Sequence, residues 1–243
     1  MARENSVPVA LVTGGSEGIG YACARLLGRR GYQVCLASRN SEKLEQAHCT
    51  LLQEEIHVAL FPMDVGNDAQ VREGIAALVE QFGGIDVLIN AAGCSMPAFC
   101  PMGQIRDEDY RRIMRANADG VFFVSRAVLP VMQKQDRGYI LNILSTAAHG
   151  AAVGNAPYSA SKHAALAVTK TMEQECRGTG VRVSSLSPGP VATTIWSHKE
   201  APPSRETMDK MLRPEEVAEV ALFLIEQPPN VHLGDTVVTP WYF

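Results

Sequence analysis

The sequence contains 243 residues, a length that fits one large α/β domain or two small ones and can bury a substantial core. Hydrophobic residues make up 46% and charged residues 20%, which are ordinary proportions for a soluble globular protein. The formal net charge of -4 and the lack of a long basic cluster argue against nucleic acid as a partner.

The cysteines and the N-terminus bear on the compartment. The six cysteines are scattered, none belongs to a Cys-x-x-Cys pair, and most lie in apolar runs, which favours buried thiols in a reducing compartment. The start of the chain, MARENSVPV, lacks the apolar core of a signal peptide, and no apolar run approaches the roughly 20 residues that span a bilayer. These features predict a cytoplasmic protein without a membrane span.

Short β-branched runs alternate with longer helical patterns along the chain. The predicted strands cover residues 9–13, 33–38, 58–64, 87–92, 139–145, 181–187 and 235–240. The predicted helices cover residues 18–29, 41–54, 68–82, 107–133, 157–177 and 214–226. Several strands are apolar on both faces, as in a parallel sheet that helices cover on both sides. The alternation therefore predicts an α/β fold with a doubly wound, seven-stranded parallel sheet flanked by helices.

Residues 191–213 show no clear period and are marked by the breaker sequences SPGP at 187–190 and KEAPPSR at 199–205. We expect this segment to form a lid over a substrate pocket. No linker, repeat or low-complexity tract divides the chain, so residues 1–243 are expected to form a single domain.

The first predicted strand runs directly into a glycine-rich turn, TGGSEGIG at 13–20, and then into an amphipathic helix. Such a turn lets the backbone approach a phosphate group, and the helix N-terminus adds free N–H groups and the positive end of a dipole. A tight turn that merely needs positive φ angles is the alternative. The spacing is Gly-x3-Gly-x-Gly rather than Gly-x-Gly-x-x-Gly, but three spaced glycines still favour a nucleotide. The predicted contacts are Gly14, Ser16, Gly18, Ile19 and Gly20.

The end of the second predicted strand bears on the choice of coenzyme. An acid at this place holds the ribose 2′-hydroxyl of NAD, whereas an arginine can meet the 2′-phosphate of NADP. The chain has Ser38 and Arg39 there and no acid, which favours NADP(H) over NAD(H). Asp64 and Val65, at the end of the third strand, are expected beside the adenine; the alternative for Asp64 is a helix cap or a turn.

Tyr158 and Lys162 lie four residues apart in the sequence YSASK, so a helix places them on one face. Reduction of a ketone needs a hydride on carbon and a proton on oxygen, and free tyrosine has a pKa near 10. A neighbouring ammonium favours the phenolate. We therefore expect Tyr158 to act as general acid in reduction and general base in oxidation, with its pKa lowered by Lys162.

These motifs, with NAAG at 90–93, Asn117, Ser145 and PGPVAT at 188–193, together resemble the short-chain dehydrogenase/reductase family. The resemblance covers nearly the whole chain in the right order and implies a Rossmann-like fold. It also implies that Lys162 binds the nicotinamide ribose, that Ser145 polarises the substrate carbonyl, and that Asn117 anchors a water that relays protons. Further cofactor contacts implied by the resemblance are Asn90, Ala91 and Gly93 along the cofactor, and Pro188, Gly189, Val191 and Thr193 around the nicotinamide.

Two departures from the family pattern stand out. Many relatives that prefer NADP carry a basic residue where this chain has Glu17, whose charge would repel a 2′-phosphate. Many relatives also end in a glycine-rich segment, whereas this chain ends in GDTVVTPWYF and looks more like the branch of hydroxy-acid and serine dehydrogenases.

The expected pocket walls are mostly apolar, which predicts an uncharged or moderately hydrophobic ketone as substrate. An NADP(H)-dependent reduction of a ketone or 3-oxoacyl compound is therefore the favoured function. The alternatives are a dehydrogenase of a hydroxy acid or 3-hydroxy amino acid, and a non-catalytic NADP-binding regulator. No histidine has ligand spacing with cysteine or acidic residues, so no metal is expected.

The chain ends in three aromatic residues, Trp241, Tyr242 and Phe243. Since relatives commonly form tetramers, we expect a homotetramer or homodimer in which this tail docks on a neighbouring subunit. Packing of the tail against its own chain is the alternative.

Overall fold

A computed structural model describes residues 7–242, and all seven of its strands belong to one parallel sheet. The strands are β1 (Val9–Thr13), β2 (Gln33–Ser38), β3 (Val58–Pro62), β4 (Val87–Asn90), β5 (Gly138–Ile143), β6 (Val181–Pro188) and β7 (Asp235–Val238). Their order across the sheet is β3-β2-β1-β4-β5-β6-β7. The predicted fold class is confirmed, although four strands end two residues earlier than predicted: β3, β4, β5 and β7.

Helices cover both faces of the sheet. They are α1 (Gly18–Arg29), α2 (Ser41–Leu52), α3 (Asp68–Phe82), α4 (Asp107–Met114), α5 (Gly120–Gln135), α6 (Ala156–Glu175), α7 (Arg205–Asp209) and α8 (Pro214–Ile225). Side chains of α1, α2 and α8 share one hydrophobic cluster with the sheet, and those of α3, α5 and α6 share the cluster on the opposite face. This burial on both faces explains why the strands are apolar throughout.

The stretch predicted as one helix, residues 107–133, is helical throughout, but it is not a single regular α-helix. The helix is interrupted by a π-helical turn at Arg115–Asp119, which separates α4 from α5. Pro130 lies inside α5, and the helix continues past it to Gln135. A π turn is rare and often marks a functional position, and here it contains the fully buried Asn117.

The segment 191–213 has local structure of its own. It contains a 3₁₀ helix at Thr194–His198 and the short helix α7, and its ends are joined by a bridge between Val191 and Leu212. The two ends of the segment are thus held together at the sheet, while the part between them extends over the carboxyl ends of the strands. Among residues 7–242, no helix is both long and apolar enough to cross a bilayer.

The strand order reverses between β1 and β4, which are neighbours in the sheet although two strands separate them in sequence. The connections from these two strands leave in opposite directions and open a crevice at the carboxyl ends. Thr13 ends β1 and pairs with Asn90, the last residue of β4. The glycine turn and the NAAG sequence therefore lie side by side at this crevice.

Candidate active site

The glycine-rich turn packs tightly against the loop that follows β4. Gly14 has a φ of +65°, and a Cβ atom there would lie 2.7 Å from the backbone nitrogen of Ala92. A Cβ at Gly20 would lie 2.3 Å from the carbonyl oxygen of Gly14. Larger residues would push the turn away from the crevice, so the glycines keep the backbone close enough to cradle a pyrophosphate.

A cleft of about 780 Å³ extends from this turn to the middle of the sheet edge. It brings together most of the residues that the sequence predicts as cofactor contacts. Those lining it are Gly14, Ser16, Gly18, Ile19, Gly20, Ser38, Arg39, Asp64, Val65, Ala91, Gly93, Tyr158, Lys162 and Thr193. The size, the glycine cradle and the dipole of α1 fit a nicotinamide dinucleotide.

Four other predicted contacts do not line this cleft. The side chain of Asn90 is buried and donates to Ser125 Oγ at 3.0 Å and to Asn142 Oδ1 at 2.9 Å, so it ties β4 to α5 and β5. Pro188 ends β6, and Gly189 and Val191 follow it; Gly189 N donates to Val238 O at 2.8 Å.

One end of the cleft carries a cluster of charges beside β2. Lys43 Nζ donates to Glu17 Oε1 at 3.0 Å and to Oε2 at 2.9 Å, and Thr194 Oγ1 donates to Glu17 Oε2 at 2.8 Å. Burial raises the pKa of Glu17, but these hydrogen bonds outweigh it and hold the pKa below its usual value. Arg39 is exposed and forms no ion pair with any other residue in the described range 7–242. Within the described residues, an unpaired guanidinium and a carboxylate that is already neutralised therefore lie at this end of the cleft.

Asp64 is held by hydrogen bonds at the adenine side of the cleft. Its Oδ1 accepts from Gly66 N at 3.0 Å, and its Oδ2 accepts from Arg115 Nη2 at 2.8 Å. The arginine comes from the π turn, so the third strand is connected to the helix that carries Asn117. Asp64 therefore lines the cleft, and it also stabilises the turn after β3, which was the alternative role considered for it.

Asn117 is fully buried in the π turn, and both its amide oxygen and its amide nitrogen are hydrogen-bonded. Its Oδ1 accepts from Cys94 N at 2.8 Å, while its Nδ2 donates to Cys94 O at 2.9 Å and to Ser161 Oγ at 3.0 Å. A Cβ on Gly93 would lie 3.0 Å from Asn117 Oδ1 and 3.9 Å from Lys162 Nζ. The side chain thus fixes the loop after β4 against α6, next to the lysine.

The predicted catalytic pair lies on the first turns of α6. Lys162 is buried, its Nζ donates to Ile143 O at 3.1 Å, and it lies 5.8 Å from the centroid of the Tyr158 ring. Burial lowers the pKa of Lys162 to about 8. Ser145 follows β5, and its hydroxyl is close enough to the Tyr158 phenol to lower the pKa of that phenol. The strand end and the helix thus bring the three predicted groups to one place.

In this structure the pKa of Tyr158 is shifted by burial rather than by Lys162. Burial raises it above its usual value, and the neighbouring Ser145 hydroxyl offsets only part of this rise. The Lys162 ammonium lies over the Tyr158 ring and donates to Ile143 O, and the expected lowering of the Tyr158 pKa by Lys162 stays a prediction. Tyr158 is therefore neutral at pH 7, which is the form that can donate a proton.

A second polar cluster lies just beyond Ser145. His149 ends the 3₁₀ turn Thr146–Ala148, and its Nε2 lies 3.1 Å from Ser187 Oγ and 3.3 Å from Asp235 Oδ2. Ser187 Oγ donates to Asp235 Oδ1 at 3.3 Å, so it accepts from His149 Nε2, which then carries the hydrogen. The histidine thus joins the turn after Ser145 to the ends of β6 and β7.

Sequence reasoning missed several residues of this site. The sequence does not single out Lys43. It lies in the first turn of α2, four residues after Arg39, and this closeness to Arg39 is the signal that could have indicated it. The pairing of His149 with Asp235 joins positions far apart in the chain, and no local pattern signals it. Over residues 7–242, no group of three or more His, Cys, Asp or Glu side chains could hold a metal ion.

The parallel sheet, the glycine cradle and the Ser–Tyr–Lys group define an α/β oxidoreductase with a dinucleotide cleft. Residues 8–203 match the model of the short chain dehydrogenase family, and the chain belongs to that family. An uncharacterized oxidoreductase of Staphylococcus aureus (strain USA300) is 36% identical over 232 residues, which cover 96% of each chain.

Solved structures agree with this membership. A variant of actinorhodin polyketide ketoreductase with NADPH superposes with a TM-score of 0.87 at 32% identity, covering 99% of this chain and 98% of that one. The closed form of a serine dehydrogenase with NADP+ gives a TM-score of 0.86 at 28% identity, covering 96% and 94%.

Proposed function

We propose that this protein is an NADP(H)-dependent oxidoreductase that reduces a ketone or 3-oxoacyl compound to a secondary alcohol. The observation that carries the proposal is the grouping of the Ser145 hydroxyl, the Tyr158 phenol and the buried Lys162, with Tyr158 and Lys162 on the wall of the dinucleotide cleft. These groups supply a proton donor and a hydroxyl for a carbonyl oxygen. When bound, the nicotinamide would supply the hydride.

In reduction, the substrate carbonyl oxygen would accept hydrogen bonds from Ser145 and Tyr158. As negative charge develops on that oxygen, the Tyr158 proton transfers to it. The raised pKa of Tyr158 keeps the proton in place until the oxygen becomes basic. Lys162 would stabilise the resulting phenolate and hold the nicotinamide ribose. Proton return through a water anchored near Asn117 completes the cycle.

The charged end of the cleft supports NADP(H) over NAD(H). Arg39 is free to meet a 2′-phosphate, and Lys43 neutralises the carboxylate of Glu17 that would otherwise repel it. The two solved structures described above hold NADPH and NADP+.

A second candidate function is oxidation of a hydroxy acid or 3-hydroxy amino acid. The similarity to a serine dehydrogenase favours it, because the same residues would run in reverse with Tyr158 as base. A non-catalytic NADP-binding regulator is less well supported, since a regulator does not need the complete group of Asn117, Ser145, Tyr158 and Lys162.

The test is to follow NADPH absorbance with ketones, 3-oxoacyl thioesters and hydroxy acids, and to repeat the panel with NADH. Tyr158→Phe removes the proton and little volume, so turnover should fall by about 100-fold or more while NADPH binding persists. Tyr110→Phe, on an exposed tyrosine of α4, is the matched control. Near-normal reduction by Tyr158→Phe would overturn the mechanism. Cofactor binding without turnover on any substrate would favour the regulator.

We also propose a homotetramer or homodimer, residues 191–213 as the substrate lid, and a cytoplasmic location. Trp241 is 89% and Tyr242 85% exposed, so neither packs on its own chain. Phe243 lies outside the described residues. Deletion of 241–243 should lower the oligomer mass in light scattering, and an unchanged mass would contradict docking of the tail.

A further inference from the structure

The side chain of Lys199 occupies an unusual place at the rim of the cleft. It follows the 3₁₀ helix Thr194–His198, and its Nζ lies 4.6 Å from the centroid of the Phe99 ring and 6.0 Å from that of Trp196. Lys199 is partly buried, and burial lowers the pKa of its ammonium. Within the described part of the chain, no carboxylate forms an ion pair with it. A cation that has lost part of its water and has only aromatic faces as partners is ready to bind an anion.

The neighbouring backbone fixes this arrangement at the mouth of the site. Glu200 N donates to Pro97 O at 2.9 Å, which joins the lid to the loop after β4, and Pro97 lines the cleft. Trp196 Nε1 donates to Val191 O at 2.7 Å, which holds the indole in place. These two hydrogen bonds fix the backbone on either side of Lys199.

A chain of contacts connects the mouth to the proton donor. A Cβ on Gly154 would lie 3.0 Å from Phe99 Cβ, and Cys100 N donates to Gly154 O at 3.1 Å. Gly154 comes shortly before α6, whose first turn carries Tyr158. The segment that carries Phe99 is therefore tied to the loop that precedes α6, whose first turn carries Tyr158.

We propose that Lys199 binds a carboxylate of the substrate, so that the site takes oxo acids or hydroxy acids with an apolar body. This inference rests on the proposed function and goes beyond the uncharged ketone that the sequence predicts. One ammonium matches the single charge of a carboxylate, and the Lys199 ammonium forms no ion pair among the described residues. The aromatic rings would cover the apolar carbons next to the carboxylate.

The test compares matched probes on the whole enzyme. Hexanoate and hexanamide are titrated into the NADP+ complex by calorimetry, using wild type, Lys199→Met, Lys199→Arg and Lys210→Met. Lys199→Met should raise the Kd of hexanoate roughly tenfold more than that of hexanamide, and Lys199→Arg should restore the preference. Lys210 is an exposed lid lysine paired with Glu206, so its substitution controls for the loss of one charge. It should leave both dissociation constants unchanged.

Several outcomes would overturn the assignment. These are no detectable hexanoate binding by wild type, an equal effect of Lys199→Met on both probes, or hexyl phosphate binding more tightly than hexanoate. Reduction of 3-oxohexanoate and of its ethyl ester is measured alongside. If the wild type reduces both with equal kcat/KM, ketone reduction stands and the role of Lys199 falls. If hexanoate binding depends on Lys199 but neither ketone is reduced, the carboxylate site stands and the proposed reduction falls.

Discussion

Lys43 and Glu17 form a two-pronged ion pair at one end of the dinucleotide cleft, with Nζ 3.0 Å from one carboxylate oxygen and 2.9 Å from the other. Both side chains are more than a third exposed, so water screens the pair and its contribution to folding is small. Its consequence is electrostatic. It removes a negative charge from the place where a 2′-phosphate would bind.

Lys43→Met should therefore weaken NADPH binding more than NADH binding. Because Glu17 would then lack its neutralising partner, we expect the Kd of NADPH to rise roughly tenfold relative to that of NADH. Fluorescence titration of the reduced coenzymes measures both constants without turnover. The double variant Glu17→Gln with Lys43→Met should recover much of the loss, because no charge is left to neutralise. Equal losses for both coenzymes would show that Lys43 has no part in discrimination.

The pH profile of reduction should reflect Lys162. Its ammonium is present below a pKa of about 8 and is lost as pH rises through that value. Tyr158 keeps its proton in this range because its pKa is raised. We expect kcat/KM for ketone reduction to be level below pH 8 and to fall by about tenfold per unit above it.

Lys162→Arg supplies the comparison, since a guanidinium stays charged in this range. The falling limb near pH 8 should be absent in this variant even if its overall rate is lower. If kcat/KM of the Lys162→Arg variant still falls near pH 8, the fall belongs to the titration of another group.

His149 should position the turn that carries Ser145. His149→Leu removes the hydrogen bond to Ser187 and the close contact with Asp235, and it should lower kcat/KM for the carbonyl substrate by about tenfold or more. His149→Gln retains an N–H donor near the place of Nε2 and should recover most of the activity. Steady-state kinetics with both variants, together with NADPH titration, separate substrate positioning from coenzyme binding. If kcat/KM is equally low in the His149→Leu and His149→Gln variants, hydrogen bonding by His149 does not position the turn.

Asn117→Ala should be costly for folding as well as for catalysis. It leaves the backbone groups of Cys94 and the Ser161 hydroxyl without their buried partner, so we expect a loss of about 2–4 kcal/mol in the free energy of unfolding. Urea denaturation without coenzyme measures it. Asn67→Ala removes an exposed helix cap and should cost only about 1 kcal/mol. Equal losses would mean that the amide network adds little.

Most of the fold could be predicted because its signals are local. The boundaries of α1 and α3 match the prediction, since Glu17 and Asn67 precede clear amphipathic patterns. The Tyr158–Lys162 pair was predictable because four residues make one helical turn. Strand ends were placed too late, since apolar residues continue into the loops that line the cleft.

What could not be predicted depends on contacts between distant segments. The role of Asn90 follows from Ser125 and Asn142, which only the folded sheet brings near. The raised pKa of Tyr158 follows from burial, which the spacing to Lys162 does not reveal. Such environmental effects oppose the simple attraction between a phenolate and an ammonium.

The π turn at Arg115–Asp119 also explains why the sequence resembles one continuous helix. Nineteen positions separate the buried residues Ile113 and Met132, whereas five regular turns need about eighteen. The turn absorbs the surplus residue, so that both ends face the core. Deleting Ala116 would leave eighteen positions between Ile113 and Met132, which a regular helix spans in five turns, so both residues would still face the core. The surplus residue is therefore not needed for the apolar stripe; it sets where Asn117 lies in the turn, and with it the hydrogen bonds to Cys94 and Ser161.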